Sequence, residues 1–521
     1  MKKFLAFTIL FFLILLNLLS FCEGSKLDPL INIMLIKEKK RDKTTSTAYA
    51  FSSSPLSTSV KIINNAPSIN VFIKTNGDVG KLSNIKGVKI NSIIKNTVTA
   101  LVPLSSIESL VELQNVIYIE ASRKCELFLD KSLISANIKP IKKSYNGRGV
   151  LIGIVDTGID FTHNDFRNSD GTTRVKFLWD HNLTPIIGER SPTGFSYGVE
   201  YTEGQIMSDI YGGSTIRHMD FNGHGTHVAG ISGGDGSATG NNQPPFTYVG
   251  IGSEANLICV STTFDDTSIV DGVKYVMEKA NSLGMPAVVN LSLGTYEGPH
   301  DGTTLLETTL DDLTGPGKII VAASGNAGEV PYHYTRTIQT GVTQDVIFYP
   351  RLNTPCFVEI LYQNNDAISV QLQVPGIGIV PSSPVQSGGT FLTSTAFGDI
   401  DIDATANPSP LNGLKKILIS LSGTVNPGAG WLIRLKGENI VTSGRYDIWV
   451  PWAPFGYVTT REIEGWDTDM SIAAPASSKK LISTGSYYTK NYWRDWFDDI
   501  DIIINPFKLE DVSSFSSGGP T

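Results

Sequence analysis

Cysteine is scarce in this sequence. Four cysteines occur among 521 residues, and Cys22, Cys125, Cys259 and Cys356 lie far apart. That spacing excludes a disulfide framework and a zinc knuckle, because both need clustered cysteines. Cys259 lies in the apolar run LICV over residues 257–260, which favours a buried, unreactive thiol over a nucleophile.

Clusters of basic residues are also missing. The 42 Lys and Arg residues, against 50 Asp and Glu, give a net charge of -8 and are spread along the chain. Proteins that bind nucleic acid concentrate their positive charge in a patch or stripe, so we expect no DNA or RNA partner. The 41% share of apolar residues is typical of globular proteins, and a chain of this length needs two or more cores.

Long apolar runs are absent after the first residues. One run, over residues 4–19, follows two lysines and precedes small and polar residues, an order typical of an export signal, which we place at residues 1–22. The sequence before Cys22 resembles a lipoprotein cleavage site apart from the bulky Phe21, so lipid anchoring at Cys22 is a less supported alternative. No later run reaches the roughly 18–20 apolar residues that cross a bilayer. We therefore expect an exported protein.

Changes of pattern divide the rest of the chain into segments. Residues 23–67 are polar and predict a loosely ordered lead-in, whereas residues 68–122 alternate strand and helix patterns as in a small ferredoxin-like α+β unit. Over residues 145–329, short apolar strands alternate with helices, which indicates a parallel sheet with helical crossovers. Residues 330–465 show alternating runs broken by Pro, Gly and Ser, typical of an antiparallel β-sandwich. The α/β pattern returns over residues 466–521.

The clearest helical pattern covers residues 269–283. Its apolar residues recur on one face, Ser268 with Asp271 three residues on can cap its start, and Gly284 marks its end. We therefore expect the helix to begin just after Ser268.

Two motifs carry polar side chains at positions suited to catalysis. GIVDTGID, over residues 153–160, places Asp156 at the carboxyl end of a buried strand, where open α/β sheets hold functional groups, although a turn or cap residue is the alternative. NGHGTHVAG, over residues 222–230, places His224 and His227 one turn apart if it opens a helix. That pair fits either a metal site or a general base. Zinc peptidases with a helical His pair use i and i+4 spacing and a neighbouring Glu, and that Glu is missing here, which favours the general base.

A third motif, IIVAASGNAG over residues 319–328, delivers Asn326 to a loop after a buried strand. An Asn in that position either forms a turn or donates its amide to a developing oxyanion. The motif by itself leaves both readings open.

Together and in this order, the three motifs resemble the subtilisin-like serine peptidase (subtilase) family, most specifically over residues 223–230. The resemblance implies that Asp156 orients the imidazole and that His224 takes the proton of a nucleophilic serine. It further implies that Asn326 is the oxyanion donor and that His227 is a structural neighbour.

The resemblance also implies a substrate-binding edge. NLSLG, over residues 290–294, is similar to the family's substrate-binding strand, along which a peptide pairs by its main chain. Residues 322–325 would line the primary pocket. The binding residues implied in this way are Ser292, Leu293, Gly294, Ala323, Ser324 and Gly325.

Residues 165–174, 179–180 and 194–198 are similar to the subtilase subgroup that includes clostridial germination (Csp-type) proteases. Those proteins carry a jelly-roll inserted after the oxyanion Asn, which implies such an insert at residues 330–465. Residues 68–122 resemble a subtilase propeptide, an intramolecular chaperone and inhibitor that docks on the catalytic domain. The expected fold is thus a doubly wound, parallel-sheet α/β domain, C-terminally incomplete, with a propeptide-like α+β domain before it and a β-sandwich inserted in it.

The sequence departs from the family at the nucleophile. FSSGGPT, over residues 515–521, is similar to the segment that precedes the family's Gly-Thr-Ser block, and no Gly-Thr-Ser occurs in the sequence. We therefore expect a fragment of a serine endopeptidase that acts on proteins or peptides and is inactive as it stands. A natural pseudoprotease that serves as a binding or scaffold protein is the alternative.

No cofactor is required by this chemistry, although many subtilases hold calcium. The group Asp165, Asn168 and Asp170 and the run DDID over residues 498–501 could bind it, but solvated loop carboxylates are the favoured interpretation. Five further histidines show no ligand spacing and are expected to lie on the surface or in hydrogen bonds: His163, His181, His218, His300 and His333.

Overall fold

The structure is a computed structural model, and the residues it describes are 26–40, 60–63, 66–122, 126–127, 141, 144–238, 244–350, 356–405, 407–422, 430–450, 463–488, 492–494, 500–502 and 511–519. The predicted export signal, Cys22, Cys125 and the acidic residues 498–499 lie outside the described residues. Within these ranges no helix is both long enough and apolar enough to cross a membrane.

The described residues of an N-terminal unit form five strands and three helices. In chain order they are α1 (Pro29–Lys40), β1 (Val60–Ile63), β2 (Ala66–Thr75), α2 (Gly80–Ser83), β3 (Lys89–Ile94), β4 (Thr97–Pro103), α3 (Ile107–Val111) and β5 (Val116–Ala121), with a 3₁₀ turn at Leu104–Ser106. Strand β2 pairs with β4 on one side and with β1 and β5 on the other, β3 lies beside β4, and every pairing is antiparallel. The order β5-β2-β4-β3 is that of a ferredoxin-like unit.

Helix α1 departs from the loosely ordered lead-in that the sequence predicted for residues 23–67. Its side chains contact both the N-terminal sheet and a later part of the chain: Asn32 Nδ2 donates to Asp403 Oδ2 at 2.6 Å, and Lys37 Nζ lies 2.6 Å from Asp401 Oδ2. The helix is stable there because tertiary contacts bury its apolar residues. Those buried residues are Leu30, Ile31, Ile33, Met34 and Leu35.

The middle of the chain alternates strands and helices. In chain order these are β6 (Glu126–Leu127), β7 (Leu151–Asp156), β8 (Val175–Asp180), β9 (Val199–Thr202), α4 (Glu203–Ile210), α5 (His224–Gly233), β10 (Asn256–Ser261), α6 (Asp266–Leu283), β11 (Ala287–Leu291), β12 (Leu293–Gly294), α7 (Leu305–Leu313) and β13 (Lys318–Ala323), with a 3₁₀ turn at Asn164–Phe166.

Antiparallel strands come next in the chain. They are β14 (His333–Thr337), β15 (Thr343–Phe348), β16 (Cys356–Gln363), β17 (Ala367–Val374), β18 (Gly378–Val385), β19 (Thr390–Thr395), β20 (Gly398–Ala404), β21 (Leu414–Ser422), β22 (Trp431–Asn439) and β23 (Arg445–Trp449). They form two sheets, ordered β14-β23-β16-β21-β20-β19 and β15-β22-β17-β18. The two sheets share one apolar core that includes Phe348, Trp431 and Tyr446.

Three short strands complete the described chain: β24 (Ile482–Thr484), β25 (Tyr492–Arg494) and β26 (Ile500–Ile502). Strand β24 joins the central seven-stranded sheet, whose order is β24-β13-β11-β7-β10-β8-β9 and whose pairs are parallel except for β8 with β9. Ser261 at the end of β10 is in register with both Asp156 and Asp180. The carboxyl ends of these strands therefore meet at one edge of the sheet, where open α/β folds place their functional groups.

Helix α6 lies between the central sheet and the N-terminal unit. It begins at Asp266 with Asp265 as its N-cap residue, so the predicted start after Ser268 is wrong by one turn. Ser268 is buried in the first turn, and its hydroxyl donates to the Asp265 carbonyl at 2.7 Å. The predicted end is correct, since Gly284 closes the helix in a left-handed conformation with φ +66.

A buried carboxylate marks the contact between α6 and the N-terminal sheet. Asp271 is 0% exposed and accepts hydrogen bonds from Ser92 of β3, from Thr99 of β4 at 3.0 Å and from the Tyr197 hydroxyl at 3.0 Å. Burial raises the pKa of Asp271 to about 6, although these hydrogen bonds and the charge of Lys274 oppose the shift. The N-terminal unit thus removes this carboxylate from water.

Candidate active site

Asp156 and His224 form a hydrogen-bonded pair at the carboxyl edge of the sheet. Asp156 is the last residue of β7 and is 0% exposed, and its Oδ1 lies 2.7 Å from Nδ1 of His224. The same oxygen accepts the Thr157 backbone N–H at 2.7 Å. His224 Nε2 is buried and has no hydrogen-bond partner among the described residues. With its proton on Nδ1, the imidazole therefore keeps an unused acceptor on Nε2.

His224 is the first residue of helix α5, so the start of this helix sets the position of the imidazole. Gly225 donates its backbone N–H to Thr157 Oγ1 at 2.8 Å, which ties the helix to the residue that comes after Asp156. A Cβ at residue 225 would lie 2.2 Å from the Gly158 carbonyl oxygen, so only glycine permits this approach. His227, one turn further on, is exposed.

Asn326 lies on the loop after β13, the strand two places from β7 in the sheet. It is exposed, and its backbone N–H donates to the Tyr296 hydroxyl at 2.6 Å. Residues 515–517 also hold the loop, because Gly328 N donates to the Phe515 carbonyl at 2.8 Å and Ser517 N to the Gly325 carbonyl at 3.0 Å. The structure therefore gathers the third motif and residues 515–517 in one place.

The implied substrate edge contains residues with different environments. Leu293 and Gly294 form β12, which pairs antiparallel with β6 (Glu126–Leu127) of the same chain. Ser292 and Ala323 are half-buried.

The implied pocket residues next to Ala323 are enclosed by neighbouring backbone. Ser324 is 4% exposed; its N–H donates to the Thr484 carbonyl at 2.9 Å, and its carbonyl accepts from Ala473 N at 2.8 Å. Gly325 has φ +106, and a Cβ there would lie 2.4 Å from the Tyr296 hydroxyl oxygen.

In the loop proposed to bind calcium, carboxylate oxygens already accept hydrogen bonds from the protein. Asp165 Oδ1 accepts the Ala238 N–H at 2.7 Å, and Asp170 Oδ1 accepts both the N–H and the hydroxyl of Thr172. These Thr172 hydrogen bonds lower the pKa of Asp170. In the described ranges no group of three or more His, Cys, Asp or Glu side chains is placed to hold a metal ion.

Among the described residues neither Cys259 nor Cys356 forms a disulfide, and burial raises the pKa of the Cys259 thiol. That environment fits the predicted inert thiol.

The remaining histidines include a second pair that sequence reasoning missed. His218 is buried, with Nδ1 2.6 Å from Asp180 Oδ2. The two residues are 38 positions apart and belong to none of the three motifs. One signal was present: Asp180 ends β8 as Asp156 ends β7, at the same edge of the sheet.

Comparison with known proteins gives the same family as the motifs. The model of the Peptidase S8, or subtilase, family matches residues 147–397. The chain is 25% identical over 298 residues to the PII-type proteinase of Lacticaseibacillus paracasei, which is 56% of this chain and 13% of that protein. It is 25% identical over 283 residues to the major intracellular serine protease of Bacillus subtilis (strain 168), which is 52% of this chain and 73% of that protein.

A solved structure shares the fold. The chain is similar to the Clostridium perfringens CspB protease, with a TM-score of 0.58 and 24% identity over 75% of this chain and 78% of that one. The chain spans only 13% of the length of the PII-type proteinases that it matches. The family match and the relatives agree with the α/β sheet that has Asp156 and His224 at its edge: residues 147–397 are similar to the subtilase family of serine proteases.

Proposed function

We propose that this domain supplies Asp156, His224 and Asn326 to the active site of an exported serine endopeptidase. The observation that carries the proposal is the Asp156 Oδ1 to His224 Nδ1 hydrogen bond of 2.7 Å, with His224 Nε2 left without a partner among the described residues. Asp156 fixes the tautomer in which Nε2 carries a lone pair, and that nitrogen then accepts the proton of a serine hydroxyl during attack on a peptide carbonyl.

The oxyanion that forms in this attack needs hydrogen-bond donors. Asn326 is exposed on the loop after β13, and Tyr296 and residues 515–517 restrain that loop. We assign its side-chain amide to the developing negative charge, where a preorganised donor stabilises the transition state more than the ground state. The proposal assigns the nucleophile to no residue of the printed sequence, which contains no Gly-Thr-Ser block.

The N-terminal unit is proposed to act as a docked propeptide that inhibits the site. Support comes from the hydrogen bonds of Ser92 and Thr99 to Asp271 and from the pairing of β6, which comes after the unit in the chain, with Leu293 and Gly294. A substrate peptide would use the same main-chain groups of β12. Substrate and β6 therefore exclude each other.

The remaining parts of the proposal rest on sequence. We propose that residues 1–22 direct export and that residues 330–465 form a Csp-like inserted jelly-roll, in line with the two antiparallel sheets described above. Catalysis is proposed to need no cofactor. Calcium binding near Asp170 stays a prediction.

The decisive experiment reads the coding sequence beyond the codon for Thr521 and expresses the chain together with any continuation of that reading frame. For the enzyme we expect a Gly-Thr-Ser block in the continuation. We also expect the product to hydrolyse casein and to be labelled by a fluorophosphonate probe. His224→Ala should abolish both activities, whereas His227→Ala, an exposed histidine on the same helix, should keep them. A stop codon at this point would favour the binding or scaffold protein instead.

A further inference from the structure

A second histidine–aspartate pair lies beside the proposed catalytic one. His218 comes from the segment between α4 and α5, and Asp180 ends β8. The His218 side chain is 0% exposed and that of Asp180 is 7% exposed. Burial opposes ionisation of Asp180, but the hydrogen bonds from His218 and Asn182 act against it, and the pKa of Asp180 is lowered. Asp180 is therefore an ionised acceptor for the Nδ1 proton of His218.

The other ring nitrogen of His218 reaches the loop that comes after Asp156. Nε2 accepts the backbone N–H of Ile159 at 3.2 Å, which requires an unprotonated Nε2. The ring also lies against Gly158, where a Cβ would stand 2.3 Å from His218 Cε1. One imidazole thus joins Asp180 to residues 158–159.

The same loop is held from its other side and in turn holds the catalytic helix. Ser261 Oγ donates to the Thr157 carbonyl at 2.8 Å, and Asn182 links Ser261 to Asp180. Thr157 Oγ1 accepts the N–H of Gly225, the residue after His224. A displacement of the loop would therefore move both the Asp156 carboxylate and the start of the helix that carries His224.

We propose that His218 is a positioning residue for the active site: with Asp180 fixing its tautomer, it holds the loop after Asp156 and thereby the Asp156–His224 hydrogen bond. The inference rests on the proposed roles of Asp156 and His224. In this proposal His218 takes no part in proton transfer and has no contact with the substrate.

Two substitutions test the hydrogen bonds of the two ring nitrogens of His218 separately. In His218→Gln the amide oxygen can take the place of Nε2 and still accept the Ile159 N–H. In His218→Asn the amide nitrogen can take the place of Nδ1 and donate to Asp180, but nothing accepts from Ile159. His333→Asn is the matched control, because His333 is also buried and pairs through Nδ1 with an aspartate, Asp467, at 2.5 Å, in another part of the chain.

The test is nuclear magnetic resonance of the full chain labelled with ¹⁵N-histidine, which resolves the tautomer of each ring and the Nδ1 proton bonded to a carboxylate. The unaltered chain should show His218 protonated on Nδ1 only and a low-field Nδ1 proton of His224. His218→Asn should shift or abolish the His224 signal, whereas His218→Gln and His333→Asn should preserve it. An unchanged His224 signal in His218→Asn would overturn the inference.

A second variant covers the case in which His218→Asn does not fold. Asp180→Asn removes the charge that selects the Nδ1–H tautomer, as amide replacement does in catalytic triads. We expect His218 to populate the Nε2–H form there and the His224 signal to weaken or shift. If both rings keep their signals in Asp180→Asn, the inference fails. Absence of the low-field His224 proton in the unaltered chain would instead contradict the proposed function.

Discussion

The imidazole of His218 fills the space that a side chain at residue 158 would need. Gly158 has φ +127, and a Cβ there would lie 2.3 Å from Cε1 and 2.6 Å from Nε2 of His218. Two costs therefore fall on any substitution of Gly158: the strained backbone conformation and a collision with a buried ring. The second cost depends on His218 and is specific to this place in the fold.

Gly158→Ala is expected to destabilise the protein by more than the roughly 1–3 kcal/mol of backbone strain at such a position. Gly149→Ala is the control, because Gly149 also has a positive φ, +81, but no atom lies within 4 Å of its would-be Cβ. Thermal unfolding measures both. Equal losses of stability in the two variants would show that the His218 ring moves aside for the methyl group at residue 158 without a further cost.

The chain as printed should neither hydrolyse casein nor react with a fluorophosphonate probe. In the proposed function Asp156 and His224 activate a serine and are not themselves acylated, and no Gly-Thr-Ser block is present. In triads of this kind loss of the serine costs about a millionfold in kcat, a figure that comes from subtilisin itself. Labelling of the printed chain at the rate of a subtilase would contradict the expectation, with heat-denatured chain as the blank.

Asn326→Ala in a product that contains the serine should lower kcat and leave KM nearly unchanged. Loss of one oxyanion donor costs about 10²–10³-fold in kcat, again a figure from subtilisin, because the donor acts mainly in the transition state. Steady-state kinetics on a peptide substrate measure the split. A rise in KM with constant kcat would assign Asn326 to substrate binding instead.

Stability should fall as the pH rises through the range in which Asp271 ionises. Its pKa is raised from 3.8 to about 6, so the folded chain resists ionisation. The stability that protonated Asp271 contributes is fully present below the pKa of the unfolded chain, near 3.8. It is lost as the pH rises towards and past the folded pKa of about 6. The change is on the order of 2–3 kcal/mol at about 1.4 kcal/mol per pKa unit.

Asp271→Asn should remove that part of the pH dependence and raise the melting temperature at pH 7, because the amide oxygen still accepts from Ser92 and Thr99. Asp312→Asn serves as the control, since Asp312 pairs with Lys95 on the surface. Melting curves between pH 4 and 8 provide the measurement. A parallel pH slope in Asp271→Asn and the unaltered chain would show that burial of this carboxylate has no energetic consequence.

Much of the local structure can be predicted from the sequence, because hydrophobic periodicity and turn residues act over short distances. Gly284 ends α6 where the pattern places it. The predicted start of α6 is misplaced because the spacing of Ser268 and Asp271 resembles that of a capping box. In the structure the helix begins one turn earlier, at Asp266, and its first residues are buried. Helix α1 escapes prediction since its stability comes from tertiary contacts that bury its apolar residues, with polar contacts to residues 401–403 far along the chain.

The sequence by itself determined which residues are candidates for chemistry: the motifs around Asp156, His224 and Asn326 resemble those of the subtilase family. The family resemblance implied the pairing of Asp156 with His224, whereas only the tertiary structure gave its geometry and the pairing of His218 with Asp180. Asp156 and His224 are 68 residues apart, and His218 and Asp180 are 38 apart. The parallel sheet brings both pairs to one edge, but a 2.7 Å contact depends on strand register and on the close approach at Gly158 and Gly225. Hydrogen bonds require such proximity in space, and linear spacing does not encode it.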